Sequence, residues 1–294
     1  MVIANPIYDV VFKRMMENER VAKFFIGTLL EEIIETVAVK PQEFTYSDEL
    51  SALAVFRLDF IATIKTKTGE QKKILIEIQK AKNQIDLMRF RKYLAEQYKK
   101  EDTVDNKKVI LPITTIYILG FKLNEIETPC LKVARNYVDH VNKLSIETKS
   151  DFVEKLTHDS YIVQVDRITN RYQTTLDKLL SIFEQSNFVD ENKITKEFNH
   201  KVDFEDMRLT TEILHYAGTN PEEKKKIEIE QEAWRTVDAM TGDLREKLAL
   251  QNSLLTEKES EISAKDIAIS EKDQAILDLQ KEMEELKKQI RDDR

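Results

Sequence analysis

Two apolar, β-branched runs on either side of a short polar stretch constrain the fold more than anything else in the chain. The first is Val55–Ala62 and the second Ile74–Gln79. The segment Lys65–Lys73 between them is polar and carries Gly69, so the unit reads as a β-hairpin. A strand alternates its faces with period two. Glu77 and Gln79 therefore share one face, and Ile74, Ile76 and Ile78 share the other. Carboxylates such as Asp59 and Glu77 inside apolar strands are costly unless they are paired, hydrogen-bonded or holding a metal.

The chain around this hairpin has 294 residues, 41% of them hydrophobic, enough to bury one α/β domain with helical additions. Five glycines and five prolines favour long regular elements over many short strands. A single cysteine, Cys130, excludes an internal disulfide framework and fits a reducing compartment. With only four scattered histidines, a Cys/His zinc site is not expected. The first residues lack the basic-then-apolar order of a signal peptide. The most apolar run, Val109–Phe121, is 13 residues long, short of the ~20 needed to span a bilayer. A cytoplasmic protein without a membrane partner is the expectation.

Charge is unevenly distributed. Residues 1–100 hold 17 Lys/Arg against 14 Asp/Glu, a net +3, while the whole chain is −8. The hairpin thus lies in the only net-basic third, where a polyanion would bind.

Helical periodicity covers residues 6–36, opened by Asn5-Pro6, with a break expected near Asn18-Glu19 and an end by Pro41. Val37–Phe44 reads as a short strand. A helix follows the hairpin from about Asn83 to Lys100, with Ile85, Met88, Tyr93 and Leu94 expected to face inward. Lys80, Lys82, Arg89, Arg91, Lys92, Lys99 and Lys100 cluster there. Singly each is an ordinary solvated side chain; beside two carboxylates they suit phosphate. Val109–Phe121 and Tyr161–Val165 read as strands, Pro112 marking an edge or a strand start. Thr174–Phe183 and Phe204–Tyr216 read as helices, and another begins after Pro221. Domain boundaries are expected at 1–170, 171–243 and 244–294.

The last of these segments is a heptad array. Leu248, Leu255, Ile262, Ile269, Ile276, Met283 and Ile290 fall on one seven-residue position, and Leu244, Gln251, Lys258, Lys265, Lys272, Leu279 and Leu286 on its companion. This predicts a coiled coil and a homo-oligomer, most simply a dimer, with the lysines weakening the middle of the seam. The alternative is one long solitary helix held by charge pairs.

Asp59 and Glu77 on neighbouring strands, with the Ile78 carbonyl, make a hard-oxygen set suited to Mg²⁺, with Mn²⁺ as a substitute. Gln79, on the face of Glu77, has the chemistry to orient a water or a phosphate oxygen. On residue types alone, a solvated strand face accounts for the same pattern.

Taken in order, Pro6-x-Tyr8-Asp9-Val10-Val11-Phe12-Lys13, Arg57-Leu58-Asp59, Ile76-Glu77-Ile78-Gln79 and Arg89-x-x-x-Tyr93 resemble the PD-(D/E)XK nuclease superfamily. The branch they most resemble is the PD-(D/E)XK nuclease family transposases, which includes the recombination-promoting nucleases. The resemblance covers residues 5–121, and more loosely reaches 240. It implies an α/β fold, a restriction-endonuclease-like α-β-β-α-β core, and the element order read above agrees with that. It implies metal-dependent DNA hydrolysis, with Asp59 and Glu77 as metal acids and Gln79 in place of the superfamily's lysine. Asp9 and Lys13 match the opening motif as accessory residues, Asp9 equally as a helix-terminal acid. Arg89, Arg91 and Lys92 are the expected DNA contacts, and Tyr93 is expected to pack. Two other classes of function remain: a degenerate nuclease fold that binds DNA or protein without cutting, and an assembly protein whose working part is the coil.

Overall fold

The computed structural model describes residues 1–44, 57–80, 84–104, 106–169 and 171–292. They form two units, Met1–Ala233 and Trp234–Arg294. The first is a mixed α/β unit, and the second continues a single helix.

The chain opens with β1 (Val2–Ala4), followed by α1 (Asp9–Met16) and α2 (Glu19–Leu30). The expected break between the two helices is present. Asn18 caps α2 by accepting a hydrogen bond from the Val21 N–H at 3.2 Å. The helical run ends at Leu30, earlier than the expected stop, because Glu31 turns left-handed (φ 57°) and the chain enters β2 (Ile34–Phe44). Pro41 therefore lies inside β2. This edge strand pairs only with β3 among the described residues, and edge strands are where a sheet tolerates proline.

The hairpin of β3 (Arg57–Thr66) and β4 (Gln71–Gln79) is formed, with Gly69 at φ +89° in its turn. Val55 and Phe56 lie outside the described residues. From β4 the chain passes through α3 (Gln84–Lys99) and a small ribbon, β5 (Asp102–Val104) with β6 (Lys107–Val109), to β7 (Ile113–Leu119). β7 runs parallel to β4. Pro112 sits just before β7 and accepts from the Lys73 N–H at 2.8 Å, so it marks the start of a central strand. β8 (Cys130–Val133), a ribbon of β9 (Tyr137–Val138) and β10 (Ser145–Ile146), and α4 (Asp151–Leu156) lead to β11 (His158–Gln164). The result is a mixed six-stranded sheet in the order β2-β3-β4-β7-β11-β8.

α5 (Thr175–Ser181), β12 (Thr195–Glu197) and α6 (Glu205–Thr219) complete the unit. β12 pairs antiparallel with β1, which ties the start of the chain to residues nearly two hundred positions later. α6 ends at Asn220, and Pro221 opens α7 (Pro221–Asp292), a 72-residue helix. Among the described residues no helix is long and apolar enough to cross a membrane.

The two sheet faces differ. Ile74, Ile76 and Ile78 of β4 and Ile116 and Ile118 of β7 enter the main core, where they meet α1, α2 and α5. Phe12 is central there, edge-on to Phe25 at 5.3 Å and to Phe60 at 5.0 Å. The opposite face carries a smaller cluster of Leu75, Phe90, Tyr93 and Ile113 under α3.

Candidate functional site

β4 sets the candidate site because it is central, straight and buried along its length. Its residues 72–78 are all buried, and strand alternation delivers Lys73, Leu75 and Glu77 to the α3 side. Glu77 is 2% exposed and pairs in register with Tyr117 of β7. Phe60 pairs with Ile76 and Ile61 with Leu75. Among the described residues that pairing ends at Phe60 and Ile76, one residue short of Asp59 and Glu77. The backbone of Asp59 lies in β3 across from Gln42; its side chain lies outside the described residues. Gln79 is half-buried at the end of β4, and its carbonyl accepts from the Gly120 N–H at 2.8 Å.

The α3-side face is unusually polar for a covered sheet. Thr115 donates to Ser160 at 2.8 Å, and the Tyr98 hydroxyl meets His158 Nδ1 at 2.8 Å. Lys73, 3% exposed, pairs with Asp102 at 2.8 Å. Burial and then the neighbouring Glu77 charge push the Tyr117 phenol well above its ordinary range, so it stays protonated. Burial, with the Arg135 charge adding to it, holds the His158 imidazole below its ordinary value and keeps it neutral at pH 7. Four strand positions separate Lys73 from Glu77, roughly 13 Å along the strand, so the Lys73–Asp102 pair lies away from Glu77.

On α3, Tyr93 is 5% exposed and packs in the cluster with Leu75 and Phe90, as expected of a packing residue. The inward face of the helix differs from the expected one at Met88, which is 51% exposed, while Phe90 is 3% exposed and sits 4.6 Å from the Tyr117 ring. Arg91 and Lys92 are exposed on α3. The side chains of Arg89 and Ile85 lie outside the described residues.

Asp9 and Lys13 are not brought to Glu77. α1 packs through Phe12 on the opposite sheet face, against Phe60. Asp9 is buried in the first turn of α1, and Lys13 is half-buried one turn later. Their end of the helix belongs to a cluster that sequence reading missed. The Glu230 carboxylate, from the third turn of α7, accepts the Asp9 N–H and the Val10 N–H, each at 3.0 Å, and is ion-paired with Lys80. The Lys80 ammonium lies 4.3 Å over the Tyr8 ring. Lys80 is thus on the α1 side, opposite Glu77, as alternation from Gln79 requires. No local pattern marks Glu230, whose partner Asp9 is 221 residues away.

Asp59, Glu77 and the Ile78 carbonyl offer the oxygen donors a hard divalent cation takes. Among the described residues no group of three His, Cys, Asp or Glu side chains is placed to hold a metal, a statement that does not include Asp59. No family model matches the chain, and no curated protein or solved structure does.

Proposed function

We propose that the chain is a metal-dependent DNA endonuclease that hydrolyses phosphodiester bonds and so promotes DNA recombination or transposition. The observation that carries this reading is Glu77, a carboxylate 2% exposed in a central strand, one register step from position 59 of the neighbouring strand. Burying that charge is costly, and a cation shared with Asp59 offsets the cost. The β3–β4 hairpin, α3 and β7 follow the β-β-α-β order of a restriction-endonuclease-like α-β-β-α-β core, with β2 added between α2 and the hairpin and the β5–β6 ribbon between α3 and β7, which supports that reading. Asp59 and Glu77 would hold Mg²⁺, or Mn²⁺ in its place, with the Ile78 carbonyl as a further oxygen donor. Bound there, the cation would supply positive charge to the phosphate and acidity to the attacking water. Gln79 orients that water or a phosphate oxygen by hydrogen bonding. Arg89, Arg91 and Lys92 of α3 neutralise the DNA backbone, and residues 244–294 join two copies.

A second reading has its own observation. Glutamine stands at position 79 where the resembled superfamily carries a lysine, which suits a fold that holds DNA or protein without cutting it. Supercoiled plasmid separates the two. With Mg²⁺ or Mn²⁺ the wild type is expected to nick or linearise it, and Asp59→Asn and Glu77→Gln to lose at least ~100-fold in rate while still binding DNA. Plasmid left equally intact by all three, with binding retained, would replace the nuclease by the binding module.

A further inference from the structure

The tail of α7 has an apolar stripe with nothing against it among the described residues. Leu255, Ile262, Ile269, Ile276, Leu279 and Met283 are each between 53% and 62% exposed. They lie on the two heptad positions of a helix that runs without interruption to Asp292. Covering a stripe of this length with another helix removes its apolar surface from water, which favours a pair over a solitary helix.

The sequence itself specifies the covering helix and its direction. Write the strict position as a and its companion as d. In a parallel pair of identical chains, each residue meets its own copy. Lys258 would then face Lys258, Lys265 face Lys265 and Lys272 face Lys272, three consecutive like-charged layers in the seam. The flanking positions would add Glu261 opposite Asp266.

In an antiparallel pair, a residues face d residues instead. Centred on position 267, that arrangement uses all fourteen seam positions and leaves none over. Leu244 then meets Ile290, Leu248 meets Leu286, and Leu255 meets Leu279. Each lysine meets an isoleucine: Lys258 with Ile276, Lys265 with Ile269, Lys272 with Ile262. Lysine stems cover apolar surface while their ammonium groups reach solvent. The position after each seam lysine is acidic, so the antiparallel pair brings Glu259 of one chain beside Asp273 of the other and Asp266 beside its own copy, with the seam lysines lying between them to offset the like charges. Shifting the pairing by one heptad either way leaves two seam positions at one end of each chain unpaired.

We infer that the tail is an interaction surface for a second copy of this chain, and that the two helices run antiparallel about a two-fold axis near Ile267. The inference rests on the coiled-coil reading of the tail stated above, and is independent of the nuclease assignment. It carries a geometric consequence. The two Leu244 residues lie at opposite ends of the coil, 46 residues or about 70 Å apart at 1.5 Å per residue. Each amino-terminal unit is therefore joined to the coil at a different end. A dimer so built suits two separated DNA segments better than two strands at one position.

Disulfide trapping tests the direction in the full-length chain, with Cys130→Ser removing the one native thiol. Leu255→Cys alone and Leu279→Cys alone are expected to stay uncrosslinked under mild oxidation, and their mixture to crosslink. Ala268→Cys, on a flanking position beside the axis, is expected to crosslink with itself, and it leaves the seam untouched should the leucine variants fold poorly. Crosslinking of Leu255→Cys with itself, with Ala268→Cys inert, would overturn the antiparallel arrangement and keep the coil. A monomeric mass by sedimentation, with no crosslink in any arm, would overturn both. Plasmid cutting decides neither outcome, so the nuclease reading stands or falls separately.

Discussion

Among the described residues, Lys196 is the most deeply buried lysine. It is 2% exposed in β12, and its ammonium donates to the Glu184 carbonyl and, at 3.4 Å, to the Ser181 carbonyl at the end of α5. Carbonyls at a helix C-terminus favour a cation, yet burial wins and lowers the lysine to about 7, with the Glu184 charge opposing the shift. The unfolded chain, with an ordinary lysine near 10.5, then binds more protons than the folded one between pH 7 and 10.5. Stability from this residue therefore rises with pH across that window and is flat below it. Lys196→Met removes the titration. Thermal unfolding at pH 7 and pH 9.5 is expected to show the wild type gaining on Lys196→Met as pH rises. An equal difference at both pH values would mean that the amine keeps its charge in the fold. A cavity of about 390 Å³ adjoins the side chain, which leaves room for methionine without overpacking.

At the scale of elements, the start of α1 depends on a residue from the far end of the same unit. Removing Glu230 takes away the acceptor of the Asp9 and Val10 amides and the carboxylate ion-paired with Lys80, whose side chain is only 15% exposed. Glu230→Ala is expected to cost about 2–4 kcal/mol in urea unfolding, and Glu230→Gln less, because an amide oxygen still accepts. A loss below about 0.5 kcal/mol for both would show that water replaces the carboxylate. α3 carries a separate expectation. Arg91→Ala and Lys92→Ala are each expected to weaken DNA binding about equally across sequences and to reduce the slope of log affinity against log salt by about one. An unchanged slope would remove them from the DNA track. These elements also mark how far the sequence could be read. The β3–β4 hairpin was legible because period-two alternation and Gly69 are local signals. The Asn18 break was legible because a cap is written in adjacent residues. The inward face of α3 was misread at Met88, since Phe90 is buried there by Tyr117 and Leu75 on strands that sequence alone does not place over the helix. The Glu230 clamp was illegible for the same reason: its chemistry is ordinary, and only the fold brings it to Asp9. Glu77 stood out because its burial follows from apolar neighbours in its own strand. The alternation that put Lys80 on the other side also gave it a partner there.

The whole molecule divides its apolar residues between two uses. Met1–Ala233 builds a core around Phe12, Phe25 and Phe60, while the tail of α7 leaves a stripe of leucines and isoleucines more than half exposed. Burial inside the first unit is intramolecular and independent of concentration, whereas covering the tail requires association and so depends on it. Cutting the chain after Thr241 removes every heptad position and no residue of the first unit. The truncated protein is expected to sediment as a monomer where the full chain sediments as a dimer. Its main thermal transition is expected to stay within ~2 °C of that of the full chain, since among the described residues no buried core side chain lies beyond Thr241. A truncated form that still dimerises would place the association surface on the first unit, where Val141 and Phe152, 87% and 70% exposed, are the apolar residues to substitute next. A truncated form that is monomeric but melts far lower would instead show that the tail stabilises the first unit directly. In DNA binding the same pair of proteins is expected to differ in avidity and not in salt slope per unit. Losing the coil removes the second attachment point and leaves Arg91 and Lys92 of each α3 in place.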